Sequence, residues 1–130
     1  MSARFWSVIA TALAVCAAFL VASASARPQA TSIKGTWHCC GAGGAAAQNF
    51  FITGTTTLHG SAKLPSGRVF AKITGTLTGH KVKIVTTYYA SFAAGYVATF
   101  TGTLTATGKK MSGSWKSTAN QTGTWTATRA

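Results

Sequence analysis

The feature that most constrains this chain is an apolar/polar alternation of period two, running almost unbroken from residue 32 to the carboxyl terminus. Tyr96, Ala98, Phe100, Gly102, Leu104 and Ala106 share one parity, while Val97, Thr99, Thr101, Thr103, Thr105 and Thr107 share the other. Val69, Ala71, Ile73, Gly75 and Leu77 alternate with Lys72, Thr74, Thr76 and Thr78. Gly123, Trp125 and Ala127 alternate with Thr122, Thr124, Thr126 and Thr128. Side chains on a strand point to opposite faces in turn, so this pattern predicts antiparallel sheet with one dry and one wet face. Threonine suits the wet face, because its β-branch favours the strand and its hydroxyl is satisfied by water. No helical period of useful length competes with this reading.

Turn residues cut the alternation into eight predicted strands near 32–39, 48–53, 58–64, 68–78, 81–89, 95–107, 110–117 and 122–129. The breaks include Pro65-Ser66-Gly67, Gly79-His80 and Gly108-Lys109, and all but the first connection, Gly41 to Ala47, are short. Short connections join antiparallel neighbours, which makes an up-and-down meander the natural topology. Left open, such a meander exposes two long edges, and closure into a small barrel removes them. Gly75, Gly102, Gly113 and Gly123 have inward parity, where a missing side chain permits the sharp bend of a small barrel. The predicted fold class is therefore all-β, an eight-stranded antiparallel barrel. An Ile/Phe-Thr-Gly-Thr-Leu-Thr segment at 73–78 and 100–105 recurs without constant period, which excludes a solenoid or propeller.

Residues 1–26 are expected to be a secretory signal peptide. Arg4 gives a positive start, Val8 to Val21 is an apolar run of 14 residues, and Ala24-Ser25-Ala26 has the small-x-small form of a cleavage site. Ala22-Ser23-Ala24 is a competing site. The apolar run is short for a membrane span of about 20 residues, so no transmembrane segment is expected after cleavage. Residues 27–31 form a polar lead and 32–130 the barrel domain. The implied location is secreted, periplasmic or cell-envelope.

Composition narrows the function. Lys and Arg number 12 and Asp and Glu number 0, giving a formal charge of +12. Without carboxylate side chains the chain cannot build a glycosidase pair, a Ser-His-Asp triad or a Ca²⁺ cage. A non-enzymatic protein is the expectation. His38, His59 and His80 lack any metal-ligand spacing, although Cys39 and Cys40 lie beside His38. For those two cysteines the sequence leaves four states open: free thiols, a vicinal disulfide, an intermolecular disulfide, or a metal site. No cofactor is expected. Gly41-Ala42-Gly43-Gly44 lacks the Lys-Ser/Thr and helix of a phosphate loop. The threonine rows do not suit ice binding, since a barrel wall twists away from a flat lattice.

Gly35-Thr36-Trp37 at the start of the first strand resembles the Gly-x-Trp motif of the calycin superfamily, which includes lipocalins and avidins. That resemblance implies a small barrel in which a basic residue of the last strand crosses the tryptophan ring, and Arg129 stands at the matching place. The avidin ligand site uses an acidic residue, and none exists here, so no ligand-site residue carries over. The superfamily also includes protease inhibitors with an N-terminal plug, for which the lead at 27–31 is short.

Three binding expectations follow. The first is a basic surface of Arg68, Lys72, Lys81 and Lys83, whose partner is an anionic polymer or surface of the envelope; nucleic acid would be attracted only through its charge. The second is a small-molecule carrier with its site at a barrel mouth near Trp37, Tyr88 and Tyr96. The third is protease inhibition. The ring volume of Trp37, Phe50, Tyr88, Tyr96, Phe100, Trp115 and Trp125 favours a filled interior over a hollow one.

Overall fold

The computed structural model describes residues 32–40 and 43–130. The signal peptide and polar lead expected over 1–26 and 27–31 lie outside the described residues. Eight antiparallel strands form a closed barrel in sequence order. They are β1 (Gly35–Cys40), β2 (Gln48–Thr53), β3 (Thr57–Lys63), β4 (Val69–Thr78), β5 (Lys81–Tyr88), β6 (Val97–Leu104), β7 (Lys110–Ser117) and β8 (Thr122–Arg129). A single helical turn, α1 (Ala90–Ala93), interrupts the β5–β6 connection.

Closure is made by β1 and β8, with Trp37 opposite Arg129 and Cys39 opposite Ala127. One end of the barrel, the terminal end, carries the β2–β3, β4–β5 and β6–β7 turns together with the start of β1 and the end of β8. The far end carries the other four connections, including α1. The dry parity faces the interior: Phe50, Ile73, Ile84, Phe100 and Trp125 are buried, while Thr101, Thr103 and Thr124 on the alternate positions are exposed.

Small-residue positions set how tightly the wall coils. Gly102 and Gly113 face each other across β6 and β7. A Cβ on Gly113 would lie 1.9 Å from the Thr101 carbonyl oxygen, so no larger residue fits without moving backbone. Trp125 pairs with Gly113 and donates from Nε1 to the same Thr101 oxygen at 3.0 Å. Trp115 likewise pairs with Gly123. An indole packed beside a cross-strand glycine fills the volume the glycine leaves.

Two expectations need correction. Val69 has the inward parity of Ala71 and Ile73, yet it is 41% exposed. The β3–β4 register shifts at Ala62/Lys63, and a bulge puts both Phe70 and Ala71 inside. The strand expected at 95–107 ends at Leu104, because Thr105 to Gly108 folds into a turn in which Gly108 N–H donates to Thr105 O and Gly108 has φ 72°.

Candidate functional site

The terminal end is built around Trp37, which is wholly buried and donates from Nε1 to the Ile33 carbonyl at 2.8 Å. The Arg129 guanidinium lies over its ring, 4.5 Å from Cζ to the centroid. The same guanidinium donates to Lys34 O at 2.8 Å, Ser32 O at 2.7 Å and, from Nε, Gly108 O at 3.2 Å. A planar fork can gather several carbonyls in this way, and a lysine ammonium cannot match the geometry. The segment entering β1, the end of β8 and the β6–β7 turn are thereby tied at one point. This end is a structural clasp closed over Trp37.

Tyr88 and Tyr96 stand at the far end, with ring centroids 4.5 Å apart. The structure therefore does not bring Trp37 together with Tyr88 and Tyr96, because β1 and the ends of β5 and β6 place them at opposite ends of the barrel. The far end does hold a small cavity of about 150 Å³ whose walls include Tyr88, Tyr96, Phe100, Trp115 and Gln48. That is well below the roughly 300 Å³ of an ordinary small-molecule site. A larger concavity of about 500 Å³ lies on the outer wall among Thr99, Thr101, Ser114 and Lys116 and is not part of the interior.

Gln48 is the polar residue that sequence reasoning missed. It is 3% exposed, its Nε2 donates to Ala46 O at 3.0 Å, and its Oε1 has no hydrogen-bond partner among the described residues. The Ala46 carbonyl fixes which amide atom points where, since a carbonyl cannot pair with Oε1. Its parity with Phe50 and Ile52 was the available signal. Tyr96 donates its hydroxyl to Gln121 Oε1. Burial pushes the Tyr88 hydroxyl above its ordinary value of 10.0, and the neighbouring Tyr96 acts in the same direction.

The basic residues Arg68, Lys72, Lys81 and Lys83 are all exposed. They do not form a compact patch. Lys72 pairs with Thr87 and Lys83 with Thr76, so Lys72 and Lys83 sit four residues apart along the strands. At about 3.3 Å per residue that is about 13 Å. Arg68 precedes β4 at the far end and Lys81 begins β5 at the terminal end. The four cations therefore form a lengthwise stripe down β4 and β5. No Asp or Glu exists to neutralise any of them.

The remaining candidates resolve simply. Cys39 and Cys40 are joined by a disulfide, so neither offers a thiolate. His38 Nδ1 is hydrogen-bonded to Asn49 Oδ1 at 2.7 Å and His80 Nδ1 to Leu104 O at 3.1 Å. Among the described residues no group of three or more His, Cys, Asp or Glu stands together, and no helix is long and apolar enough to cross a membrane. Compared with known proteins, the chain matches no family model, no curated protein and no solved structure.

Proposed function

We propose that this protein is an exported, calycin-like, non-enzymatic barrel that binds extended anionic polymers of the cell envelope along the stripe of Arg68, Lys72, Lys83 and Lys81. One observation carries this reading. The four exposed cations run in line down two adjacent strands, and the chain has 0 acidic side chains to compete for them. A line of separated charges matches a repeating polyanion better than a single compact anion. Export is supported by the residue pattern of 1–26, and the calycin relationship by Gly35-Thr36-Trp37 with Arg129 over the indole. The non-enzymatic reading is supported by the lack of any carboxylate side chain and by the Cys39–Cys40 disulfide, which leaves no free thiol beside His38.

The experiment is a salt titration of binding to an anionic polysaccharide beside a neutral one. Binding by counterion release weakens steeply as salt rises. Equal affinity for the neutral polymer, or indifference to salt, would count against the proposal.

A second reading, carriage of a small neutral ligand at the far end, is favoured by Gln48 Oε1, which has no hydrogen-bond partner among the described residues. That acceptor suits a ring with one donor. Phenol tests it: saturable binding preferred over benzene supports carriage, and no binding of either removes it.

A further inference from the structure

Four large hydrophobic side chains are notably exposed among the described residues: Phe51 (37%), Val69 (41%), Tyr89 (45%) and Phe92 (40%). They are not scattered. Phe51 points outward from β2, next to Ser61 of β3, which in turn pairs with Lys72 of β4. Val69 pairs with Lys63 on the same wall. Tyr89 donates its backbone N–H to Phe70 O, and the Phe92 ring rests 5.2 Å from that of Phe70. All four thus occupy one sector, from the outer wall of β2–β4 up to α1 at the far end. The outer wall of β6–β8 is different in kind, with Thr101, Ser114 and Thr124 side by side.

Cations stand among these apolar groups. Lys63 Nζ lies 4.1 Å from the Phe51 ring centroid, and Arg68 Cζ lies 5.6 Å from that of Phe92. Lys72 completes the set. A soluble polyanion would use the cations and leave the exposed rings in water. A surface that offers negative charge above an apolar layer uses both. Aromatic side chains set into the headgroup boundary, with basic residues beside them, are the means by which folded proteins rest on such a surface.

We propose that Phe51, Val69, Tyr89 and Phe92, with Lys63, Arg68 and Lys72, seat the barrel on an anionic lipid bilayer, with α1 entering the headgroup region. This adds a second surface to the polymer stripe and shares only Arg68 and Lys72 with it. The far end meets the lipid, while Lys81 and Lys83 at the other end of the stripe stay free.

The test uses the full chain. Phe92→Trp and Thr103→Trp are each compared with the parent, so that fluorescence from the natural tryptophans cancels. Vesicles carry bromine high on the acyl chains and contain either phosphatidylcholine alone or added phosphatidylglycerol. Residue 92 is expected to be quenched on the anionic vesicles and residue 103, on the opposite wall, is not. Equal quenching at both positions, or at neither, overturns the proposal. Quenching at 92 that is as strong on neutral vesicles overturns the part given to the cations. Tyr89→Ser and the double variant Tyr89→Ser/Phe92→Ser should each weaken residence on anionic vesicles, by about tenfold for each ring withdrawn from the lipid. Both should leave binding to a soluble anionic polysaccharide unchanged. Polymer binding that falls in parallel would mean one charged surface and no apolar seat, whereas failure of polymer binding alone leaves the bilayer seat standing.

Discussion

Replacing Arg129 by Met removes the clasp while keeping a long apolar stem against Trp37. In the structure the guanidinium donates to three backbone carbonyls, those of Ser32, Lys34 and Gly108, and covers an indole that is 0% exposed. Charge-assisted hydrogen bonds are worth about 1.5–3 kcal/mol when fully sheltered. Arg129 is exposed, so about 0.5 kcal/mol for each carbonyl is a better figure. The cation over the ring adds about 0.5–1 kcal/mol at a site this open. The expected loss is therefore about 2–2.5 kcal/mol, seen as a fall in Tm of about 8–20 °C for a domain of this size. Equilibrium unfolding in urea, followed by tryptophan fluorescence, measures it. Arg129→Lys keeps the charge and loses the fork, and should recover less than half of the stability. A loss under about 0.5 kcal/mol for Arg129→Met, against the usual 0.5–3 kcal/mol span of point mutations, would refute the view that this residue ties the barrel shut. So would an Arg129→Lys variant as stable as the wild type.

Trp37→Ala should cost about 3–5 kcal/mol in the same assay, as truncation of a wholly buried aromatic. Gly113→Ala places a methyl group 1.9 Å from the Thr101 carbonyl oxygen and should cost about 3 kcal/mol or more, while the exposed Ser112→Ala beside it should stay within about 0.5 kcal/mol. Tyr88 ionises above 10.0 in the folded state, chiefly through burial. An unfolded tyrosine loses its proton first, so the stability this group contributes is complete below pH 10.0 and declines as the pH rises through the folded value. Alkaline unfolding curves of wild type and Tyr88→Phe should coincide at neutral pH and separate above pH 10, with the Phe variant less sensitive.

The strand plan was legible because each turn signal was local. The bounds expected at 48–53, 110–117 and 122–129 coincide with β2, β7 and β8. Closure was legible too, from edge avoidance and from the Trp37–Arg129 pairing. What could not be read was anything depending on register between strands. The bulge that turns Val69 outward is set by how β3 meets β4, and alternation within β4 alone gives no sign of it. The separation of Trp37 from Tyr88 and Tyr96 is a matter of which end of a strand a residue occupies. Alternation assigns faces and is silent about ends. The cysteine pair could not be decided from adjacency either, and the structure joins Cys39 to Cys40.

The basic stripe shows the same division. Outward parity put Lys72, Lys81 and Lys83 on one wall, but only the β4–β5 register shows that they run lengthwise. Gln48 and the exposed Phe51 had opposite parities on one short strand, a sign that β2 carries a polar group inward and a ring outward. Phe92 gave no such signal, because its exposure follows from the helical turn α1 that interrupts the β5–β6 connection.

The central claim is that the position of positive charge matters, and not its amount alone. Lys72, Lys81 and Lys83 lie on β4 and β5, whereas Lys109, Lys110 and Lys116 lie in the β6–β7 turn and on β7. All six are exposed, so changing either set of three to Gln removes the same charge with little effect on stability. Affinity for one anionic polysaccharide, measured across a salt series for the wild type and both triple variants, separates position from amount. The stripe variant should bind more weakly and show the shallower salt dependence, with the β7 variant close to wild type. Equal losses in the two variants would contradict the account and leave only the diffuse attraction of a polycation.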